Sequence, residues 1–224
     1  MIPLDIISDP ICPWCYIGKA GFDRALAKIG SDPFTPAWRI FQLNPEMPAE
    51  GIDRRQYLEW KFGGPEGASQ VYGRIEQAAA AAGLEVNFDR INRTPNTFDA
   101  HRLIRWSQST GLQGEVVDQL FRRYFIEGED IGQHTVLLDV AETVGMERDV
   151  IAKLLTGDTE RSELEAEEAQ ARQMGVTGVP CFIINGRHVV QGAQDQATWE
   201  KIISELSEAL ASRAASEAPE EAGG

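Results

Sequence analysis

The sequence is short of cysteine, histidine and positive charge. It holds three cysteines and three histidines in 224 residues. A secreted scaffold stapled by disulfides needs more cysteines, and an even number of them. Lys and Arg number 21 against 35 Asp and Glu, a formal net charge of −14. Neutralising phosphates needs the opposite balance, so nucleic acid is not an expected partner. No run of about 20 apolar residues exists, so no membrane span is expected. The first residues, Met1-Ile2-Pro3-Leu4-Asp5, carry no basic segment, apolar stretch or small-residue cleavage site. No secretory leader is read there, and a cytoplasmic location is expected. In that reducing compartment a Cys-x-x-Cys serves catalysis or metal binding more often than structure.

The chain is long enough to bury a core as one large domain or two small ones. Residues 2–8 are mostly apolar and stop at Asp9-Pro10, which predicts a short buried strand. A helix is expected over 12–29, with Phe22, Ala25, Leu26 and Ile29 in phase, and a second strand over 36–43. Residues 54–155 show no convincing strand. Amphipathic helices are expected at 55–83, from Asn96 or Thr97 to Ser109, around 116–125, around 136–144 and at 149–155. The pattern then changes to a charged helix over 158–174, a strand over 179–184, an Asn185-Gly186 hairpin turn, a strand over 188–191 and a helix over 195–212. The tail, 213–224, is small and acidic and reads as disordered. The two outer pieces together supply four strands and three helices, enough for one α/β domain. The expected division is therefore 1–52 plus 156–212 as a discontinuous α/β domain, with 53–155 as an inserted helical domain.

Chemistry concentrates at Cys12-Pro13-Trp14-Cys15, after a strand and at the start of a helix. A helix N-terminus offers unpaired N–H groups and partial positive charge, which stabilise an anion. Cys12, at the open end, is expected to have a lowered pKa and to be the attacking thiolate. Cys15, one turn in and less exposed, would resolve a mixed disulfide. Pro13 suits the first helical position. A zinc site would need a second ligand pair, and Cys181, His101, His134 and His188 do not form one by spacing, so no metal is expected. The second element is Gly175-Val176-Thr177-Gly178-Val179-Pro180-Cys181-Phe182. A proline at the start of a buried strand cannot donate to the ladder. A cis Val179–Pro180 bond would explain it and would expose the Val179 backbone to an incoming chain.

These two elements together resemble the thioredoxin superfamily, and the inserted helices resemble its DsbA-like branch. Residues 8–18 (Ser-Asp-Pro-Ile-Cys-Pro-Trp-Cys-Tyr-Ile-Gly) and 96–103 (Asn-Thr-Phe-Asp-Ala-His-Arg-Leu) are similar to the FrnE-like DsbA oxidoreductases. The resemblance covers residues 1–212. It implies a thioredoxin-like α/β domain with an inserted all-helical domain, and a thiol–disulfide oxidoreductase or isomerase, usually cytoplasmic. It implies Cys12 as nucleophile, Cys15 as resolving thiol and Pro180 as the facing cis-proline. Pro13, Trp14, Val179, Asn96 and His101 become substrate-side candidates. Expected partners are protein or low-molecular-weight thiols and disulfides, with no resident cofactor and glutathione as a candidate co-substrate, in a monomer or homodimer.

Three departures from the better-known members stand out. Pro-Trp replaces the Pro-His of the strongly oxidising enzymes, so a less oxidising potential is expected. Ile6 stands where thioredoxins keep a buried acid, and neither Asp5 nor Asp9 can be given that role from sequence. Cys181 directly follows the proline, either as a third redox thiol or as a small core residue. His101 is read as a proton shuttle, a substrate contact or a packed side chain. Trp14 and Tyr16 are expected on the active-site surface or in packing. Arg90, Arg93, Arg102 and Arg105 flank the 96–101 motif, either to bind a carboxylate such as that of glutathione or as ordinary ion-paired arginines. A second reading is a glutathione-dependent isomerase or transferase of the kappa or 2-hydroxychromene-2-carboxylate isomerase type. Those proteins resemble this architecture but generally carry serine near the Cys12 position, and 192–196 (Gly-Ala-Gln-Asp-Gln) fits their glutathione motif poorly. A partner-binding module using the groove between the lobes is a third reading.

Overall fold

The computed structural model describes residues 1–30 and 32–217. In chain order the elements are β1 (Ile2–Ser8), α1 (Pro13–Ile29), β2 (Phe34–Ile40), β3 (Ile52–Asp53), α2 (Arg54–Phe62), α3 (Pro65–Ala81), β4 (Arg93–Thr94), α4 (Phe98–Trp106), α5 (Gln113–Phe121), α6 (His134–Thr143), α7 (Arg148–Leu155), α8 (Arg161–Gln173), β5 (Cys181–Ile184), β6 (His188–Gln191) and α9 (Gln196–Glu217). The main sheet runs in the order β2-β1-β5-β6. β2 lies parallel to β1, from Ile2 opposite Phe34 to Ser8 opposite Ile40. β5 is antiparallel to β1, with Ile7 opposite Cys181, and β6 is antiparallel to β5. Asn185 and Gly186 turn the hairpin with φ of 51° and 64°. Positive φ at both positions is what a tight two-residue hairpin requires.

Alternation along β1 and β5 sends neighbouring side chains to opposite faces. On one face, α1 and α9 close over an aromatic knot. The Trp199 ring lies 4.9 Å from Phe22 and 4.7 Å from Phe182, edge to face in both cases. On the other face Ile7, Phe41 and Cys181 pack against Ala171 of α8 and Val176. The first core does not stop at the sheet. It continues through Cys15 and Ile91 into Leu103, Leu120, Phe121 and Leu137 of the helical block. Burial of this continuous apolar surface is the main stabilising term.

Several boundaries differ from the sequence expectation. The single helix expected over 55–83 is two. Gly63 ends α2 in the left-handed region at φ 72°, and Pro65 opens α3 at its first position. Proline has no N–H to continue the first helix but suits the start of a new one. The stretch read as strand-free contains β4, which pairs with β3 just ahead of that stretch; at two residues each they are too short to leave a pattern. β2 lies two to three residues earlier than expected, and α9 continues to Glu217. Residues 213–217 of the expected tail are thus helical, consistent with Ala214 and Ala215 as strong helix formers. The rest of that tail, 218–224, lies outside the described residues. Among the described residues no helix is long and apolar enough to cross a membrane.

Candidate active site

Asp9 turns the chain from β1 into α1. Its Oδ2 accepts the Leu43 N–H at 2.7 Å and its Oδ1 accepts the Ile11 N–H at 3.4 Å. The Asp9 carbonyl takes the Cys12 N–H at 2.9 Å. Cys12 then serves as the N-cap residue of α1, in extended conformation at φ −84° and ψ 113°, with Pro13 next. This places the Cys12 thiol at the positive end of a 17-residue helix. The Val179–Pro180 peptide is cis. Cys12 donates its thiol hydrogen to the Val179 carbonyl at 3.6 Å. Gly18 allows the Pro180 loop this close: a Cβ there would lie 3.0 Å from Pro180 Cγ and 3.3 Å from Ala193 Cα. Gly21, one turn on, has the Gln194 carbonyl where its Cβ would be.

All three cysteines are free and buried. Cys12 is 3% exposed and Cys15 1%, so the expected contrast of an open and a closed thiol is absent. The asymmetry lies in their surroundings. Burial pushes the Cys15 thiol well above its ordinary value, and its hydrogen bond to Cys12 and the Cys12 charge push the same way. Bonds from the Ser8 hydroxyl and the Asp9 backbone oppose this only in part. Cys15 is therefore a thiol at neutral pH.

The helical block supplies a polar roof. Arg54, at the start of α2, donates to the Tyr72 hydroxyl, to Thr94 Oγ1 at 3.2 Å and to the Tyr124 hydroxyl at 3.4 Å. Tyr57 shares a hydrogen bond with Asn44. Burial raises all three phenols, Tyr57, Tyr72 and Tyr124, and the charge of Cys12 adds to the rise at Tyr72. Lys19 of α1, also buried, pairs with Asp23 and with Asp118 of α5, each at 2.7 Å. Burial works against its charge, but the two carboxylates outweigh it and leave the ammonium more firmly protonated than usual.

The structure brings Cys12, Cys15, Pro13, Val179, Pro180 and His101 into one neighbourhood. His101 of α4 is 3% exposed, and its Nε2 stands 3.8 Å from Asp9 Oδ1. Trp14 is 40% exposed beside Cys12, while Tyr16 turns inward and stacks on Phe125 at 5.4 Å. Asn96 does not join the thiols. Its Oδ1 accepts from Phe98 N–H at the start of α4, and its Nδ2 donates to the Met47 carbonyl. Cys181 packs on the opposite sheet face, against α8, where the alternation of β5 puts it, and this favours the core-residue reading of the two the sequence left open. Three of the four arginines are structural. Arg102 is 1% exposed and binds the Leu154, Gly157 and Thr159 carbonyls, Arg93 binds those of Glu50 and Gly51, and Arg105 pairs with Glu160 and Glu167. His134 pairs with Asp99, and His188 is exposed on β6. Sequence reasoning missed Ser8, Arg54, Tyr57, Tyr72 and Tyr124, and named Asp9 without giving it a role. The signal available for Asp9 was its place within the Cys12 motif, ahead of a proline.

A sequence model of the DSBA-like thioredoxin domain matches residues 3–204. The chain belongs to the DSBA-like thioredoxin family. Within the range of that family, the chain is 28% identical to the uncharacterized protein YwbO of Bacillus subtilis, over 91% of this chain and 96% of that one. Among solved structures, the probable DsbA oxidoreductase SCO1869 of Streptomyces coelicolor superposes with a TM-score of 0.81 at 28% identity, covering 92% of this chain and 89% of that one. Two others share the fold at lower identity. A 2-hydroxychromene-2-carboxylate isomerase gives 0.71 at 15% identity, covering 94% and 98%. The cytosolic disulfide reductase DsbM of Pseudomonas aeruginosa, with GSH, gives 0.67 at 16%, covering 92% and 99%.

Proposed function

We propose that this DSBA-like protein is a thiol–disulfide oxidoreductase that works through the Cys12–Cys15 dithiol on protein or small-molecule disulfides. The observation that carries the reading is the pairing of Cys12, at the α1 N-terminus and against the Val179 carbonyl, with a Cys15 held as a thiol one turn deeper. In the reductive direction the Cys12 thiolate attacks one sulfur of the substrate disulfide. The substrate S–S bond breaks, a Cys12–substrate disulfide forms, and the first substrate thiolate leaves and takes a proton. Cys15 then loses its proton and attacks Cys12 Sγ, releasing the second substrate thiol and leaving a Cys12–Cys15 disulfide. Two low-molecular-weight thiols, of the glutathione type, would restore the dithiol, and run in reverse the same steps oxidise a substrate. Two thiols at the site favour this chemistry over glutathione-dependent isomerisation, which the shared fold alone would permit.

The test is reduction of insulin by dithiothreitol, with scrambled ribonuclease as the isomerisation assay. Wild type should accelerate at least one of the two, and Cys12→Ser should fall to the uncatalysed rate with its fold intact. Equal activity of the two proteins, or tight glutathione binding with no redox turnover, would overturn the reading.

A further inference from the structure

Behind Cys12 lies a buried carboxylate–imidazole pair that the exchange steps above leave unused. Asp9 is fully buried, at 0% exposure. Its two carboxylate oxygens are held by the neutral N–H groups of Leu43 and Ile11, which orient the charge without cancelling it. His101 approaches from α4, far along the chain, to 3.8 Å from Oδ1. Its Nε2 is buried and has no hydrogen-bond partner among the described residues. A buried polar atom left unpaired is costly and calls for an explanation. The pair stands beside the loop that carries the nucleophile, because the Asp9 carbonyl itself holds the Cys12 N–H. The other titratable or charged groups facing this space are Arg54 and Tyr57 of α2, Tyr72 of α3, Tyr124 just after α5, and Cys12 and Cys15 of α1. The Arg54 guanidinium is committed to Tyr72, Tyr124 and Thr94. His101 is thus the group that meets Asp9 directly.

We propose that Asp9 and His101 are positioning residues for the dithiol: the carboxylate fixes the loop that presents Cys12, and the proton on His101 sets how much of the carboxylate charge the Cys12 thiolate meets. This inference rests on the thiol–disulfide reading. With His101 protonated the pair is neutral overall, and a thiolate at Cys12 is tolerated. With His101 neutral the carboxylate is uncompensated and opposes the thiolate. Coupling of this kind is reciprocal, so a thiolate at Cys12 strengthens the hold of His101 on its proton. When the dithiol becomes a disulfide, two electrons and two protons pass to the substrate disulfide, which leaves as two thiols, and the hold on the His101 proton relaxes.

The experiment is the pH profile of Cys12 alkylation by iodoacetamide in the full reduced chain, with the adduct located by mass spectrometry. His101→Gln removes the positive partner and should move the half-maximal pH upward. Asp9→Asn removes the negative one and should move it downward. Each shift should be about one pH unit, a roughly tenfold change in thiolate fraction at fixed pH below the midpoint. A purely structural pair would move both variants in the same direction or leave both unmoved, and either result overturns the proposal. Should Asp9→Asn fail to fold, the His101 ring titration of wild type, followed by NMR in the reduced and oxidised states, decides instead. A higher midpoint in the reduced state supports the coupling, and identical midpoints refute it. Wild-type turnover of insulin or scrambled ribonuclease separates the two levels: turnover of neither sinks the thiol–disulfide reading, whereas turnover with unmoved midpoints sinks this inference alone.

Discussion

His101 and Arg102 are neighbours on α4, and both are buried to within 3% of full burial. They have opposite fates. Arg102 is saturated: it pairs with Asp99 at 2.9 Å, binds three carbonyls around the end of α7 and stacks its guanidinium over Trp106. Its Nε and Nη2 groups close the chain between α7 and α8. His101, one residue back and turned toward α1, faces a carboxylate with an unsatisfied ring nitrogen. Burial and residue type are similar for both. What separates a structural polar group from a reactive one here is whether its hydrogen-bonding capacity is filled.

The largest effect that tests this contrast is on the Arg102 side. Arg102→Ala would strand the Leu154, Gly157 and Thr159 carbonyls and leave the Asp99 carboxylate without its closest arginine partner. A loss of about 3–5 kcal/mol is expected in urea unfolding. The Cys12 alkylation profile of the folded fraction should be unchanged. His101→Gln should show the reverse pattern, a stability change within about 1 kcal/mol and a displaced profile. If Arg102→Ala displaces the profile as much as His101→Gln, the two residues are one network and the contrast is void.

A smaller effect comes from pH, and it originates on the His101 side. Cys15 has an ordinary value of 9.0, and Tyr57, Tyr72 and Tyr124 have ordinary values of 10.0; all four are raised in the folded protein. The unfolded chain therefore loses these protons first as pH rises. Stability from these groups is full below the ordinary values and falls as pH climbs past about 9 to 10. The urea midpoint at pH 7, 9 and 10.5 should drop across the series. A midpoint that holds or rises would mean these groups are not kept protonated by burial.

Much of this was legible in the chain, and what was not has physical causes. The Cys-x-x-Cys helix, the hairpin at Asn185-Gly186 and the cis-proline are local features, set by residues within one turn of each other. α1 accordingly runs over Pro13–Ile29, one residue from its expected start. The break at Gly63-Gly64-Pro65 was legible as a Gly-Gly-Pro breaker and was read through in favour of one long helix. β3 and β4 are two residues each, below any period. Cys181 stayed open between a redox thiol and a core residue because sequence proximity to Pro180 says nothing of which sheet face a side chain takes. Asp9 was named but given no role, because the buried acid of thioredoxins stands six positions before the first cysteine. Here the chain places it three before, and its partner arrives from α4, with no sequence signal to join them.

The central claim is that Cys12 exchanges with substrate and Cys15 resolves. Cys15→Ser tests it most directly, because it removes resolution and leaves attack intact. Incubated with a disulfide such as oxidised glutathione, that variant should accumulate a mixed disulfide on Cys12, visible in the peptide mass map. An adduct on Cys181 instead, or no adduct on any cysteine of the folded protein, would contradict the account.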